Sequence, residues 1–293
     1  MGVANWFETF CSNIKMSSTT AATISSRYKQ ITKRLNLDYY QSDSDVYHSF
    51  YVGSYGRDTE IFASDIDMLF ELPYSVYKQY DEYIGNGQSA LLQAVKNSIK
   101  KTYSDTDVKG DGQIIQIKFT DGINFEVLPA FINGDKKTYT FANSNSGGSW
   151  NTTDPKSEIE AINNRNISCN ENLKLLCKMM RAWKDSMNVP IKGLLIDTLA
   201  FQFLENYTHR DKSYLYYDYM TRDFFEYVKN QDENQTYWRA PGSGRYVYNS
   251  DNFRWKATRA YNISLEAIEA QSKEYEFTAK SKWKEIYGSK FPS

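Results

Sequence analysis

A chain of 293 residues, 41% hydrophobic and 16% aromatic with 24 tyrosines, has apolar surface enough for two packed lobes and none of the composition of a disordered protein. Its 35 basic and 36 acidic residues leave a net charge of −1, which argues against a grip on long nucleic acid by counterion release and leaves room for a small anionic ligand held by a few local cations. Cys11, Cys169 and Cys177 form no CxxC pair, and only His48 and His209 could complete a zinc site, so reduced core thiols are expected. The start MGVANWFETFC lacks the basic and long apolar regions of a secretory leader, and no apolar run approaches the ~20 residues of a membrane span, so a cytoplasmic protein is expected.

In chain order, Ile24, Tyr28, Ile31 and Leu35 mark one face of a helix that starts near Ser17 to Thr20, whose hydroxyls suit a cap. Val46 to Val52 reads as a strand running into a tight turn at Gly53, and SDIDMLFEL as a second strand stopped by Pro73. A polar, tyrosine-rich segment with Gly85 and Gly87 precedes SALLQAVKNSIKKTY, an amphipathic helix on Leu91, Leu92, Val95 and Ile99. QIIQIKF and INFEVLPAF read as strands joined at Asp121-Gly122, which gives a mixed sheet of at least four strands. NSNSGGSWNTT reads as a loop, and Asp154-Pro155 as an N-cap with proline at the first helical position. A lobe boundary near Asn163 divides residues 1–162 from a mainly helical 163–293. There Leu173, Leu176, Met180 and Trp183 share a face, LLIDTLAFQFLENY continues in kind, RAPGSGRYVYNS is a loop and SLEAIEAQSKEYEFTAKSKWKEIYG is a helical stretch.

The chemistry gathers in GSYGRDTEIFASDIDM, Gly53 to Met68. Alternation along a strand puts Asp65 and Asp67 on one face, about 7 Å apart at ~3.3 Å per residue. Two acids so placed repel unless they are solvated or share cations, and a pair of Mg²⁺ ions about 3.5 to 4 Å apart is one solution. Glu126, between Phe125 and Val127, fits either a third ligand or a solvent-facing strand residue. Asp-x-Asp and Gly-Ser are each common. Their order, a strand, Gly-Ser, a short spacer, Asp-x-Asp and then a strand with an acid between apolar residues, favours the metal reading. Gly53 would let backbone approach a ligand, and Ser54 with nearby N–H groups would hold phosphate oxygens.

At these residues the chain resembles the DNA polymerase beta-like nucleotidyltransferases. More narrowly, GSYGRDT with SDIDM and NFEVLPAF resembles the bacterial cGAS/DncV-like nucleotidyltransferases, which are related to oligoadenylate synthetase. The resemblance implies an α+β fold with a mixed-sheet catalytic core, a mainly α-helical C-terminal lobe and a cleft between them. It implies catalytic and metal-binding roles for Asp65, Asp67 and Glu126, triphosphate contacts at Gly53 and Ser54, and two Mg²⁺ ions for which Mn²⁺ can substitute. The implied reaction joins ribonucleoside triphosphates such as ATP and GTP into a cyclic di- or trinucleotide messenger of anti-phage (CBASS) signalling. The expected protein is a monomer whose product a downstream effector senses. Lys174 matches a phosphate-binding lysine, with a solvated helix face as its plainer reading and Lys178 as an alternative one turn on. Arg57 could reach phosphate but is expected to brace the turn against Asp58.

Two departures stand out. The third acid is Glu126 where Asp is usual, and Gly193 and Leu194 stand where relatives tend to carry Ser-Ser or Ser-Tyr beside the donor base. Asp197, one turn later, could read a base edge, cap a helix or lie at the surface. Competing readings are a linear oligonucleotide synthetase or other nucleotidyltransferase, and an inactive nucleotide-binding module. The 24 tyrosines are expected mostly in core and surface roles rather than as base platforms.

Overall fold

A computed structural model describes residues 2–62 and 64–293. A helix that the sequence reading did not anticipate, α1 (Val3–Asn13), comes first and buries Trp6, Phe7, Phe10 and Cys11. The expected helix follows as α2 (Ser18–Tyr40), where the Ser17 hydroxyl accepts from the Thr20 amide at 3.0 Å and Ile24, Ile31 and Leu35 are buried. Next come β1 (Ser49–Tyr51), shorter than the apolar run around it, the single turn α3 (Gly53–Gly56) and β2 (Asp65–Glu71), which ends ahead of Pro73.

The tyrosine-rich segment contains a helix, α4 (Tyr74–Asp81), which leads to α5 (Gly87–Lys100), capped by Asn86. The strands β3 (Asp107–Asp111), β4 (Ile114–Lys118), β5 (Asn124–Ile132), β6 (Tyr139–Asn143) and β7 (Ser149–Thr153) complete a seven-stranded sheet in the order β1-β2-β5-β4-β3, with β6 bridging β5 and β7. β2 and β5 run parallel and the other neighbours antiparallel, so the sheet is mixed. The hairpin turn falls at Asp121-Gly122, with Gly122 at φ +79°. SWNTT is a strand and not a loop: its polar residues pair with β6, and Trp150 packs on Tyr77 and Phe131.

Helix α6 (Pro155–Ser168) starts as expected, the Asp154 carboxylate accepting from the Ser157 amide at 3.1 Å. The remaining elements are α7 (Asn172–Ser186), α8 (Gly193–Asn206), α9 (Tyr217–Lys229), the two-stranded β8 (Tyr237–Arg239) and β9 (Tyr246–Tyr248), α10 (Arg254–Ser272) and α11 (Glu276–Tyr287). Part of the expected loop RAPGSGRYVYNS is thus strand, held by pairing between Tyr237 and Tyr248 and between Arg239 and Tyr246. The last helical stretch breaks in two around Glu274, whose φ of +63° no helix accommodates.

The chain forms two compact units. One holds Met16–Arg57 and Phe62–Ile159, with α2 and α5 packed on the sheet over Ile66, Met68, Val95, Phe125 and Val127. The other holds Glu160–Ser293 together with Asp58–Ile61 and the residues up to Lys15. The division falls inside α6, slightly ahead of Asn163, and α1 joins the helical unit because Phe7 meets Trp283 edge-on at 5.2 Å while Phe10 lies 4.4 Å from Tyr287. The architecture is α+β. The three cysteines are buried free thiols, and burial pushes the Cys11 thiol up to about 12, so it stays inert. Among the described residues no helix is long and apolar enough to cross a membrane.

Candidate active site

The parallel pairing of β2 with β5 sets the register of the acids: Asp67 lies opposite Glu126 and Asp65 opposite Asn124. Ile66, Met68, Phe125 and Val127 point into the core, so alternation sends Asp65, Asp67 and Glu126 to the other face together. Burial lifts the Glu126 carboxyl above its ordinary range, helped by the negative charges of Asp67 and Asp65 and, more weakly, of Asp111, against a lowering hydrogen bond from Gln116. That repulsion places the three acids within electrostatic reach of one another.

Two neighbours that the sequence reading passed over hold these acids. The Gln116 side-chain amide donates to Glu126 Oε1 at 3.2 Å, and Asn124 donates to Asp65 Oδ1 at 3.2 Å. A signal for each existed: Gln116 breaks the apolar pair Ile115 and Ile117, and Asn124 sits two residues before Glu126 on the same strand face.

The Gly-Ser turn is built against the carboxylates. Val52 donates its amide to the Asp67 carbonyl at 3.0 Å, which seats the start of α3 on β2. Gly53 has φ +61°, and a Cβ there would stand 1.9 Å from Asp67 Oδ2. At Gly56 a Cβ would stand 2.5 Å from the Tyr51 carbonyl oxygen. Glycine at 53 is therefore required twice, by backbone conformation and by the carboxylate beside it. Ser54 follows in the same turn, half-buried.

An all-carboxylate set suits a hard divalent cation such as Mg²⁺, and the close approach of backbone at Gly53 leaves the Asp67 carboxylate unobstructed by a side chain there. Asp65, Asp67 and Glu126 would be its ligands. Among the described residues no three His, Cys, Asp or Glu side chains are already gathered into a cation cage.

Of the remaining sequence candidates, Lys174, Lys178 and Asp197 lie in the helical unit and Arg57 in the sheet unit. Lys174 and Lys178, one turn apart on α7, share Asp58, at 3.5 Å from Oδ2 and 2.6 Å from Oδ1 respectively. The Arg57 guanidinium is buried and meets Glu158 at 3.3 Å. Asp197 departs from all three of its expected roles. It is fully buried, with Arg181 on both carboxylate oxygens at 2.6 and 3.0 Å and the Thr59 hydroxyl donating at 3.0 Å, so no oxygen is presented to a base. Arg181 also donates to the Gly193 carbonyl at 3.3 Å, and a Cβ at Gly193 would lie 3.4 Å from its Nη2. A side chain at 193 would meet that guanidinium at ordinary contact distance, so the ion pair does not by itself require glycine there.

Comparison with known proteins gives concordant results. The pattern of the Second Messenger Oligonucleotide or Dinucleotide Synthetase domain matches residues 1–166. A probable cyclic nucleotide synthase of Bacillus cereus (strain VD146) is 26% identical over 219 residues, which are 69% of this chain and 63% of that protein's length. The chain thus spans less than two thirds of that curated relative. The fold is shared with CdnG of Bradyrhizobium diazoefficiens, a CD-NTase solved in complex with GTP, at TM-score 0.67 and 9% identity over 99% of this chain and 96% of that one. It is shared also with CdnC of Escherichia coli MS115-1, solved with ATP, at TM-score 0.63 and 14% identity over 98% of both chains.

Proposed function

The chain belongs to the Second Messenger Oligonucleotide or Dinucleotide Synthetase family, and from that premise we propose that it condenses ribonucleoside triphosphates, in the presence of Mg²⁺, into a cyclic di- or trinucleotide with release of pyrophosphate. The observation that carries the reading is the pairing of Asp67 with Glu126 across β2 and β5, with Asp65 two residues away and Gly53 against Asp67. In each round the oxygen of a sugar hydroxyl bonds the α-phosphorus of a neighbouring nucleotide as the bond to pyrophosphate breaks, and the last round closes the ring. Asp65, Asp67 and Glu126 would hold Mg²⁺, which when bound would supply activation of that hydroxyl and offset of charge on the leaving pyrophosphate. Asp65, Asp67 and Glu126 hold and orient, with Gln116 and Asn124 fixing two of the three carboxylates. Gly53 and Ser54 hold triphosphate oxygens at the turn. ATP and GTP are the natural first substrates, since the related CdnC and CdnG were solved with them. A signalling role in anti-phage defence, with a separate effector for the product, follows from the same reading.

The test is incubation with labelled ATP, GTP, CTP and UTP plus Mg²⁺ or Mn²⁺, followed by phosphatase and mass spectrometry. Phosphatase-resistant product with the mass of a closed ring is expected. Phosphatase-sensitive oligomers would replace the reading with a linear synthetase, and no product in any condition with a nucleotide-binding module.

A further inference from the structure

The hairpin of β8 and β9 has two unlike faces. Inward, Trp238 and Val247 are buried, Trp238 donating its ring N–H to Gln231 at 3.0 Å and packing 5.8 Å from Phe253. Outward, Tyr237, Tyr246 and Tyr248 remain 47%, 46% and 57% exposed although strands of three residues offer few outward positions. Tyr246 and Tyr248 are stacked with centroids 5.7 Å apart, and Tyr237 stands edge-on to Tyr246 at 5.0 Å. The Arg239 guanidinium lies 3.8 Å over the Tyr246 ring and donates to its hydroxyl at 2.7 Å, so the cation is fixed within the aromatic surface.

The same stretch of sequence is rich in cations. From Asp232 to Arg259 the chain carries Arg239, Arg245, Arg254, Lys256 and Arg259 against Asp232, Glu233 and Asp251, within a protein whose net charge is −1, and Arg254 donates to the carbonyls of Asp232 and Glu233 at 3.0 Å. Trp255, 52% exposed with Lys256 4.3 Å over its ring, extends the pattern into α10. Cross-strand aromatic pairing stabilises a short hairpin, but it calls for neither the surplus of cations nor a second exposed aromatic on the adjoining helix.

We infer that the outer face of the β8–β9 hairpin, with the start of α10, is a docking surface for a short single-stranded nucleic acid. The three ring centroids lie 5.0, 5.7 and 6.1 Å from one another, so bases stack on the outward planes of the cluster and not between its rings, and the arginines meet the phosphates. Duplex does not suit the face, because paired bases do not present their planes. The surface is independent of the carboxylate site and of the reaction proposed for it. The near-zero net charge of the whole chain limits binding to this patch, so a strand of a few nucleotides is the fitting ligand.

The experiment is fluorescence anisotropy of intact protein titrated into labelled oligouridylate and oligoadenylate of about 12 nucleotides, a length within the usual site size, with a duplex of equal length as control. Saturable binding is expected to the single strands, weaker to the duplex, and reduced several-fold or more between about 50 and 200 mM salt. Tyr237→Ala with Tyr248→Ala is expected to weaken binding by at least about ten-fold, since each lost stack removes roughly five-fold or more. Tyr237→Phe with Tyr248→Phe keeps the rings and the affinity. Should the alanine pair melt early, Tyr248→Leu against Tyr248→Phe reads the same distinction with apolar bulk retained. Arg239→Gln is expected to flatten the salt dependence. Absence of saturable binding overturns the inference, as do equal affinity for duplex, equal affinity of the alanine pair, or equal competition by oligoglutamate, which reads charge alone.

Discussion

Replacing Gly53 by alanine separates a backbone cost from a catalytic one. At φ +61° an L side chain costs about 1–2 kcal/mol, and in a chain of this size each kcal/mol lowers Tm by about 2–4 °C, so a fall of a few degrees follows. The new Cβ would also stand 1.9 Å from Asp67 Oδ2, well inside any tolerated contact, and it is the flexible carboxylate that gives way. A shift of about 1 Å in a group that positions the reaction costs roughly 10²-fold in rate. Product formation should therefore drop about a hundred-fold in protein that is still folded at assay temperature. Gly122→Ala is the matched control: it has φ +79° and nothing within 4 Å of the new Cβ, so it meets the backbone cost without the clash. Its Tm should fall by a similar few degrees while its rate stays within about two-fold of wild type. If Gly53→Ala retains wild-type synthesis, the carboxylate it displaces does not position the reaction. If both variants lose rate alike, the loss tracks stability and the placement of Gly53 against Asp67 has no catalytic meaning.

Asp65→Asn with Asp67→Asn should abolish synthesis yet raise Tm slightly at neutral pH in the presence of chelator, because both charges oppose ionisation of Glu126; an active double variant would sink the assignment. Glu126→Asp should keep measurable synthesis, Asp being the shorter arm with the same charge, and loss of folding instead would mark Glu126 as structural. Glu60, whose Oε2 is buried without a hydrogen-bond partner, has its carboxyl raised by burial from 4.5 to about 7. Its contribution to stability is present below about 4.5 and is lost as pH rises through about 7, an amount on the order of 3 kcal/mol. Glu60→Gln should flatten Tm across that window, and an unchanged pH dependence would refute the shift. Arg181→Met should cost roughly 3–5 kcal/mol by stranding the buried Asp197 carboxylate. Asp197→Asn should lower Tm without altering which bases enter the product, as read by mass spectrometry at a permissive temperature; an altered base choice would restore Asp197 to the nucleotide site.

What was legible in the sequence was whatever short-range pattern dictates. Alternation fixed the face of Asp65 and Asp67, the Asp121-Gly122 turn fixed the hairpin that delivers Glu126, and the Ser17 and Asp154 caps fixed two helix starts. Helix α1 escaped because its partners, Trp283, Tyr287 and Phe291, lie at the other end of the chain. β7 escaped because SWNTT is polar on a strand whose stability comes from pairing with β6 and from one tryptophan. The role of Asp197 escaped for a further reason. Its periodic position said only that it sat on a helix, whereas its environment is set by Arg181 sixteen residues upstream and by Thr59 on a segment far away in sequence. Buried ion pairs leave almost no local signature, and a lone acid among Leu195, Ile196 and Leu199 is the weak sign that did exist.

The two α7 lysines can be told apart by the same kind of reasoning. Lys178 holds Asp58 at 2.6 Å with its side chain 14% exposed, whereas Lys174 stands at 3.5 Å from the second oxygen and 20% exposed. Asp58 is itself largely solvated, so each contact has the small worth of a surface pair, up to about 1 kcal/mol. The shorter bond falls to Lys178, which leaves Lys174 the easier of the two to draw away to a phosphate. A hydrogen bond to a charged group contributes about 1.5–3 kcal/mol, so losing one to a triphosphate should raise KM roughly ten- to hundred-fold. Lys174→Ala should therefore raise KM for the nucleotide with Tm unchanged within about two degrees. Lys178→Ala should lower Tm by a degree or two and leave KM within about three-fold. Asp58→Asn, which frees both ammonium groups, should lower KM if Lys174 serves the substrate, because its phosphate no longer competes with a carboxylate. If Lys174→Ala and Asp58→Asn both leave KM untouched, Lys174 is only half of a surface ion pair, and the charge that steadies the triphosphate comes from elsewhere in the chain.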